Sequence, residues 1–569
     1  FGAFVKKDGT VWTVGNNGNG QLGNGTADNK SVPIQAGTEV SNVLVVHEVT
    51  LASSIDDNTP MGKTGTYGGD NTVISNITLR GDNGENKYDA FNVSSTSVAR
   101  KFNLNLGVDE EKRLTSSDRL TFKSMNPEIV TVDSAGNVRP AHKGNYGSTV
   151  ILVEYNYNDL GVVNKFKGMI RVKVAPYMGV ASPMVAAGAG HTIALRYDGT
   201  VWAWGLNTYG QLGNGSSVNS MLPVQVKSAD GNSFLTDVVQ ISAGYVHSMA
   251  LKKDGTVWTW GRNDGGQLGN NNTSNKSLPV QVKGGASGSE YLTDVVQVTA
   301  GNWHSMALKA NGTVYAWGWG QYGQLGNGYT TNSDDTDKYS YEKIYSAPVQ
   351  VLNGAQTSET GYLKEVVQID AMGGTGHNDR NRFRTSLAVT ESKEVYGWGN
   401  SLYGALGVKS SIVSKPVRVG TDISNAVQVA GGGKSGSDDW HVNSIGNTGY
   451  TYILKEDGTV SSLGYNVNGE LGNGAKVSTT AVQEVSNLTE IMQVAGSKNG
   501  NFGAAVKEDG TVWTWGVNTY GQLGNGTQDT PKTKAIQVGG SSSNTMKLRN
   551  GAVLENDGVT IAKDKNGQE

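Results

Sequence analysis

A chain of 569 residues with 36% hydrophobic and 17% charged side chains can bury a large core, and its length allows about two to four domains. A formal charge of −3 without any Lys/Arg run argues against nucleic-acid binding, and the absence of cysteine excludes disulfides, thiol catalysis and thiolate metal sites. The 79 glycines follow no G-X-Y period, which excludes collagen, and no apolar stretch approaches the length of a membrane-spanning helix.

The chain opens at Phe1 rather than Met, inside a pattern that is complete further on, so it is expected to be a processed or truncated piece. Residues 12–26, WTVGNNGNGQLGNGT, contain Gly18-Asn19-Gly20-Gln21-Leu22-Gly23, the G-x-G-x-x-G spelling of a nucleotide phosphate loop. The phrase recurs as WGLNTYGQLGNG (204–215), WGRNDGGQLGNN (260–271) and WGWGQYGQLGNG (317–328), then WGNSLYGALG (398–407), LGYNVNGELGNG (463–474) and WGVNTYGQLGNG (515–526). A phosphate fingerprint occurs once, between a strand and a helix. Seven copies between strand-like runs instead assign these glycines to turns and close backbone approach.

Each unit predicts four strands: an apolar run such as DVVQISAG (237–244), HSMALKKDG (247–255), TVWTWG (256–261), and after the Gly-rich loop a run such as LPVQV (278–282). Asp8-Gly9, Asp198-Gly199, Asp254-Gly255, Asp457-Gly458 and Asp509-Gly510, with Asn311-Gly312 as a variant, predict type I′ hairpins; the fifth unit has Ser392-Lys393 instead. The pairs Trp202/Trp204, Trp258/Trp260 and Trp513/Trp515 lie two apart, on one strand face, and should wedge between neighbouring sheets. Pro33, Pro223, Pro279, Pro348 and Pro416 mark an outer edge strand, and the Ala-Gly closing the first strand suits a crowded inner end. The expected fold class is all-β, a seven-bladed propeller, with the first strand of blade 1 missing.

The stretch AGYVHSMALKKDGTVWTWGRNDGGQLG (243–269) resembles the repeat of the regulator of chromosome condensation family, and the likeness spans 1–37 and about 181–540. Between them, SMNPEIVTVDSAGNVRPAHKGNYGSTVILVEY (124–155) resembles bacterial immunoglobulin-like (group 2) domains, with Phe122 where a tryptophan is usual. The domain plan is therefore 1–37, an incomplete blade 1; 38–180, an immunoglobulin-like β-sandwich insert on a rim loop; 181–540, blades 2–7; and 541–569, a closing strand or the start of a further module. Domains of the insert's type imply a bacterial surface or secreted protein.

His191, His247 and His304 share one repeat position, with His377 and His441 in corresponding loops; recurrence per blade points to inter-blade hydrogen bonds rather than a metal ring. The acidic loops at Asp334-Asp335-x-Asp337 and Asp438-Asp439 lack full calcium-motif spacing and read as solvated charge, and Arg80-Gly81-Asp82 as a chance tripeptide. No nucleophile, base and orienter set is present, so no catalytic residue, cofactor or metal is assigned. Loops lengthen in blade 5 (373–386) and blade 6 (431–452), and with the aromatics of blades 3 and 4 they nominate Tyr245, Trp303, Arg380, Arg382 and Trp440 as partner-binding residues. Tyr209, Tyr322, Tyr403 and Tyr520 form a second aromatic rim whose regular recurrence favours structure. The resulting expectation is a monomeric, non-catalytic extracellular binding or adhesion module with a protein or glycan partner. The alternatives are a secreted inhibitor of β-lactamase type and, from the family's best-known activity, guanine-nucleotide exchange on a small GTPase.

Overall fold

A computed structural model describes residues 1–5, 10–36, and 184–538 apart from short stretches, the longest being 330–343, 356–360, 374–383 and 436–446, together with strand segments between 80 and 174. Three strands, β1 (Gly2–Val5), β2 (Val11–Gly15) and β3 (Lys30–Gln35), form blade 1. The insert follows with β4 (Arg80–Gly81), β5 (Phe91–Ser94), β6 (Lys101–Leu104), β7 (Leu120–Ser124), β8 (Val130–Val132), β9 (Val138–Pro140), β10 (Gly147–Asp159) and β11 (Val162–Val174). Six four-stranded antiparallel sheets complete the ring. Blade 2 is β12 (Met184–Ala187), β13 (His191–Leu195), β14 (Val201–Gly205) and β15 (Ser220–Gln225); blade 3 is β16 (Val238–Ala243), β17 (His247–Lys252), β18 (Val257–Gly261) and β19 (Lys276–Gln281). Blade 4 is β20 (Val295–Ala300), β21 (His304–Lys309), β22 (Val314–Trp319) and β23 (Ile344–Gln350); blade 5 is β24 (Val366–Gly373), β25 (Arg384–Thr390), β26 (Val395–Asn400) and β27 (Ile412–Arg418). Blade 6 is β28 (Ala426–Ser435), β29 (Asn447–Lys455), β30 (Val460–Gly464) and β31 (Thr479–Glu484); blade 7 is β32 (Ile491–Gly496), β33 (Phe502–Lys507), β34 (Val512–Gly516) and β35 (Lys532–Gln537). Inner turns and Gly-rich loops emerge on one face, the turn face, and the strand-2 to strand-3 hairpins and outer-to-inner connections on the other, the hairpin face.

One hydrogen bond recurs from blade to blade and closes the ring. The amide of the last loop glycine donates to the outer strand of the next blade: Gly25 to Met221, Gly215 to Ser277, Gly328 to Ser414 and Gly474 to Thr533, at 2.8–3.2 Å. Gly526 of blade 7 makes the same bond, 3.1 Å, to Ser31 of blade 1, and Phe4 and Val14 pack there with Val512 and Val538. Seven blades thus form one circle, although blade 1 has no innermost strand among the described residues.

The seams explain the repeat's composition. In the loops of blades 1–4 the carbonyl at the Gln position accepts from the next blade: Gln21 from Trp204 Nε1 and Thr192 Oγ1, Gln211 from Trp260 and Ser248, Gln267 from Trp317 and Ser305, and Gln324 from Trp398 and Ser386. All four indoles are fully buried. The serines use their only proton on that carbonyl, so His191, His247 and His304 must donate from Nε2 to Ser248, Ser305 and Ser386, each at 3.0 Å. Burial lowers these imidazoles to about 4, 3 and 3, keeping them neutral donors. The glycines lie close to these same groups. A Cβ on Gly23 (φ +69°) would meet the Trp204 ring at 2.6 Å, whereas Gly18 has open space around it.

The hairpins differ from the type I′ expectation. Gly199, Gly255, Gly312 and Gly458 have positive φ, but the Asp or Asn before each does not. With Gly255 N–H on the Lys252 carbonyl, the loop is a type I turn closed by a glycine bulge, which requires only one left-handed residue. The Asp serves another purpose: Asp254 Oδ1 accepts from both the amide and the hydroxyl of Thr256, as do Asp198, Asn311 and Asp457 for Thr200, Thr313 and Thr459. In blade 5, Lys393 takes the left-handed position itself, φ 62°.

The described insert strands make one antiparallel sheet, ordered β4-β11-β10-β7, and two hairpins, β5-β6 and β8-β9. The insert does not stand clear of the ring. Met125 and Leu152 join the buried cluster that runs through blades 4, 5 and 6, and Lys123 comes near enough to Lys393, on the blade 5 hairpin, to contribute to lowering its pKa after burial. Its attachments are at blades 1 and 2, so it reaches across the hairpin face.

The seam between blades 6 and 7 is built differently. Gly503 replaces the serine, and the Tyr452 hydroxyl occupies that space, bonding the Glu470 carbonyl while Trp515 Nε1 donates to both, at 3.0 and 2.9 Å. Glu470 stands where five other loops have Gln. Its carboxylate accepts from Asn468 N and Nδ2 as those glutamines accept from an amide two residues earlier, and burial pushes its pKa up to about 7.

Two outcomes follow. Gly23→Ala should lower unfolding free energy by about 1–3 kcal/mol or more, and Gly18→Ala by less than about 1, in denaturant titrations. A raised folded-state pKa means that Glu470 loses its favourable neutral form as pH rises from about 4.5 through about 7. Glu470→Gln should therefore leave stability nearly unchanged at pH 5 and raise it by up to about 3 kcal/mol at pH 8, read as a widening gap in melting temperature.

Candidate functional site on the turn face

The residue entering each second strand accepts a backbone bond from the residue leaving the third: Arg262 N–H to the Val246 carbonyl at 3.0 Å, and Trp319 N–H to the Trp303 carbonyl at 2.9 Å. Side chains at these two positions therefore meet on the turn face, and in blades 3–5 they include Arg262, Trp303, Trp319 and Arg384. They form a continuous stack. The Arg262 guanidinium lies 4.6 Å from the Tyr209 ring and 4.2 Å from Trp303; Trp303 meets Trp319 edge-on at 5.5 Å and 86°; Arg384 covers Trp319 at 4.7 Å and reaches Tyr322 at 5.7 Å. Arg262 is held from its other edge by Asp264, with bonds of 2.9 and 2.6 Å. Such cation–π stacking with a planar guanidinium is stronger where water is excluded, and Arg384 is fully buried.

Of the residues nominated from sequence, Tyr245 lies half-buried on this face and Trp303 is 6% exposed, its ring between two guanidinium groups. Trp303 shapes the surface from beneath, while Arg262 and Tyr209 reach solvent beside it. Arg380, Arg382 and Trp440, with His377, His441 and the two acidic loops, lie outside the described residues. In the second tyrosine rim, Tyr403 and Tyr520 are exposed at 37% and 44%, and Tyr403 packs edge-on against Tyr465 at 5.2 Å. Of the Arg80-Gly81-Asp82 tripeptide, Arg80 and Gly81 form β4 and pair with Lys167 and Phe166. Among the described residues no three His, Asp or Glu side chains converge as a metal site.

At the axis, sequence gave no warning of Lys498. It leaves the inner turn of blade 7 and crosses the channel, donating to the Ala300 carbonyl of blade 4 at 2.6 Å and approaching Asp370 of blade 5 at 3.7 Å. Asp370 in turn accepts from Thr299 Oγ1 at 3.1 Å and from the Gly431 amide of blade 6 at 2.8 Å. Four blades are thus tied at one point. Burial lowers the Lys498 pKa, and Asp370 opposes that shift. Inner strands are further clamped by glutamines: Gln297, Gln368 and Gln428 each use both amide atoms on the next blade's backbone, at Ile369, Val429 and Val494. Lys498→Met should cost about 1–3 kcal/mol, because the stem still packs but a buried carbonyl and carboxylate lose their donor. In a double-mutant cycle with Asp370→Asn, the combined loss should fall short of the sum of the single losses by at least about 0.5 kcal/mol.

This architecture has relatives. Residues 154–552 match the RCC1-like domain, and residues 8–54 match the regulator of chromosome condensation (RCC1) repeat. The chain is 28% identical over 471 residues to the human Regulator of chromosome condensation, covering 79% of this chain and 99% of that protein. It is 29% identical over 376 residues to the Arabidopsis thaliana Ultraviolet-B receptor UVR8, covering 64% of this chain and 73% of the relative. Among solved structures, human WBSCR16 aligns with a TM-score of 0.47 at 22% identity, over 74% of this chain and 93% of that one. Since the match to the RCC1-like domain spans well over half of the sequence, the chain belongs to the RCC1-like domain family.

Proposed function

We propose that the protein is a non-catalytic binding module that engages a protein partner through its turn face. One observation carries the reading. The hairpin face is met by the chain's own insert at Met125 and Leu152, with Lys123 near Lys393, while the turn face presents Arg262 and Tyr209 over a rigid aromatic stack. Aromatic and arginine side chains held in fixed geometry are the residue types that carry most energy in protein interfaces. The finer reading is an extracellular adhesion module of a bacterial surface or secreted protein, monomeric, with the insert as an immunoglobulin-like sandwich. It rests on the group 2 resemblance of residues 124–155 and on the antiparallel pairing of β7, β10 and β11. Inhibition of a β-lactamase would use the same face.

Near-complete coverage of the human Regulator of chromosome condensation favours a second reading, nucleotide exchange on a small GTPase. The two make opposite demands on one experiment. The intact protein is applied to immobilised extracellular-matrix proteins and a β-lactamase panel, and in parallel to small GTPases loaded with fluorescent GDP. Binding without accelerated GDP release is expected, weakened at least tenfold by Arg262→Glu and unchanged by Lys253→Glu on the hairpin face, with circular dichroism showing both variants folded at the assay temperature. Faster GDP release would replace the first reading with the second. Equal loss from both variants would remove the turn face as the binding surface.

A further inference from the structure

Three adjacent blades repeat an exposed aromatic residue that the ring itself does not need. In the outer-to-inner connections of blades 2, 3 and 4, Phe234, Tyr291 and Tyr362 are 50%, 47% and 48% exposed, each immediately before a buried leucine, Leu235, Leu292 or Leu363. The backbone holds all three alike. Lys227 pairs with Phe234, Lys283 with Tyr291 and Leu352 with Tyr362 as antiparallel bridges, and the following leucine amides bond Val226, Val282 and Val351 at 3.0 Å. Each ring thus stands on a short rigid ladder. Blades 5 and 6, with shorter connections, keep the buried residue as Ile423 and Leu488 but place Asp422 and Asn487 before it. The fold retains the apolar anchor; among the described residues the aromatic is confined to an arc on the hairpin face.

We propose that Phe234, Tyr291 and Tyr362 form a platform for a neutral polysaccharide. Flat apolar rings exposed at a blade-to-blade repeat suit a ligand that itself repeats and offers C–H faces for stacking, as pyranose chains do. The surrounding charge agrees with a neutral chain: lysines 227, 283 and 364 are interspersed with Asp230, Glu290 and Glu365, so no net positive field draws a polyanion. Hydrogen-bonding groups flank the rings, including Ser228 and Ser233, which bond each other at 2.8 Å at the surface, and the Lys283 ammonium 4.2 Å from the Tyr291 ring. Three weak contacts on one polymer act together, so removing one ring should weaken binding and removing all three should abolish it.

The test is retention of the intact protein on insoluble cellulose, chitin and β-1,3-glucan. Wild type is expected to be retained on at least one of them, Tyr291→Ala about tenfold less, and the triple Phe234→Ala, Tyr291→Ala, Tyr362→Ala variant not at all. All should melt at the wild-type temperature, because the side chains are exposed. Arg262→Glu on the turn face should be retained normally, which separates this platform from the protein-binding surface. Failure of wild type on every polysaccharide, equal retention of the triple variant, or a triple variant that loses a protein partner while keeping the glycan would each overturn the proposal.

Discussion

A single backbone carbonyl in the glycine-rich loop holds each of blades 1–4 to the blade that follows. It receives an indole and a hydroxyl from the following blade, and for three blades the hydroxyl is itself held by a histidine of the preceding one. To present that carbonyl, the loop must turn back sharply and let a tryptophan ring lie against its backbone. The glycine count follows from this requirement. A side chain on Gly213, Gly269 or Gly326 would run into Trp260, Trp317 or Trp398 within 2.8 Å, and each position also has positive φ. What looks like a phosphate cradle is the socket for a neighbouring tryptophan.

The ring was legible in the sequence because each blade repeats the same solution. Trp pairs, edge prolines and histidines appear where period-2 alternation and strand order place them, since these features depend on local geometry. The hairpin type was misjudged for a local reason as well: Asp-Gly serves two turn types, and only the backbone shows that Asp254 is there to hold Thr256. Features set by distance around the ring were illegible. Nothing near Lys498 in the chain indicates that it ends on blade 4, and nothing near Lys123 indicates that it comes close to the blade 5 hairpin.

The turn face illustrates both cases. Trp303 was recognisable as an unusual aromatic, but its burial depends on Arg262 and Arg384, which sit at positions where other blades have different residues. Those two positions could have been found by comparing the copies column by column, because the backbone bond that joins them recurs in blades 3 and 4. The arc of Phe234, Tyr291 and Tyr362 was missed because it lies in the connections between units, outside the phrase that defines the repeat. Both surfaces are decorations on positions that the seams leave free.

The seam between blades 6 and 7 has a consequence for how such a ring can change over generations. Units that share the Trp, Ser and His arrangement present identical sockets, so duplication or exchange of one for another preserves every joint. The joint between blades 6 and 7 is matched only within that pair: Tyr452 fits because Gly503 makes room, and Tyr450 reaches the Phe502 carbonyl across it at 2.8 Å. These two units must be inherited as a pair, and recombination that separates them leaves either a steric collision or a hole.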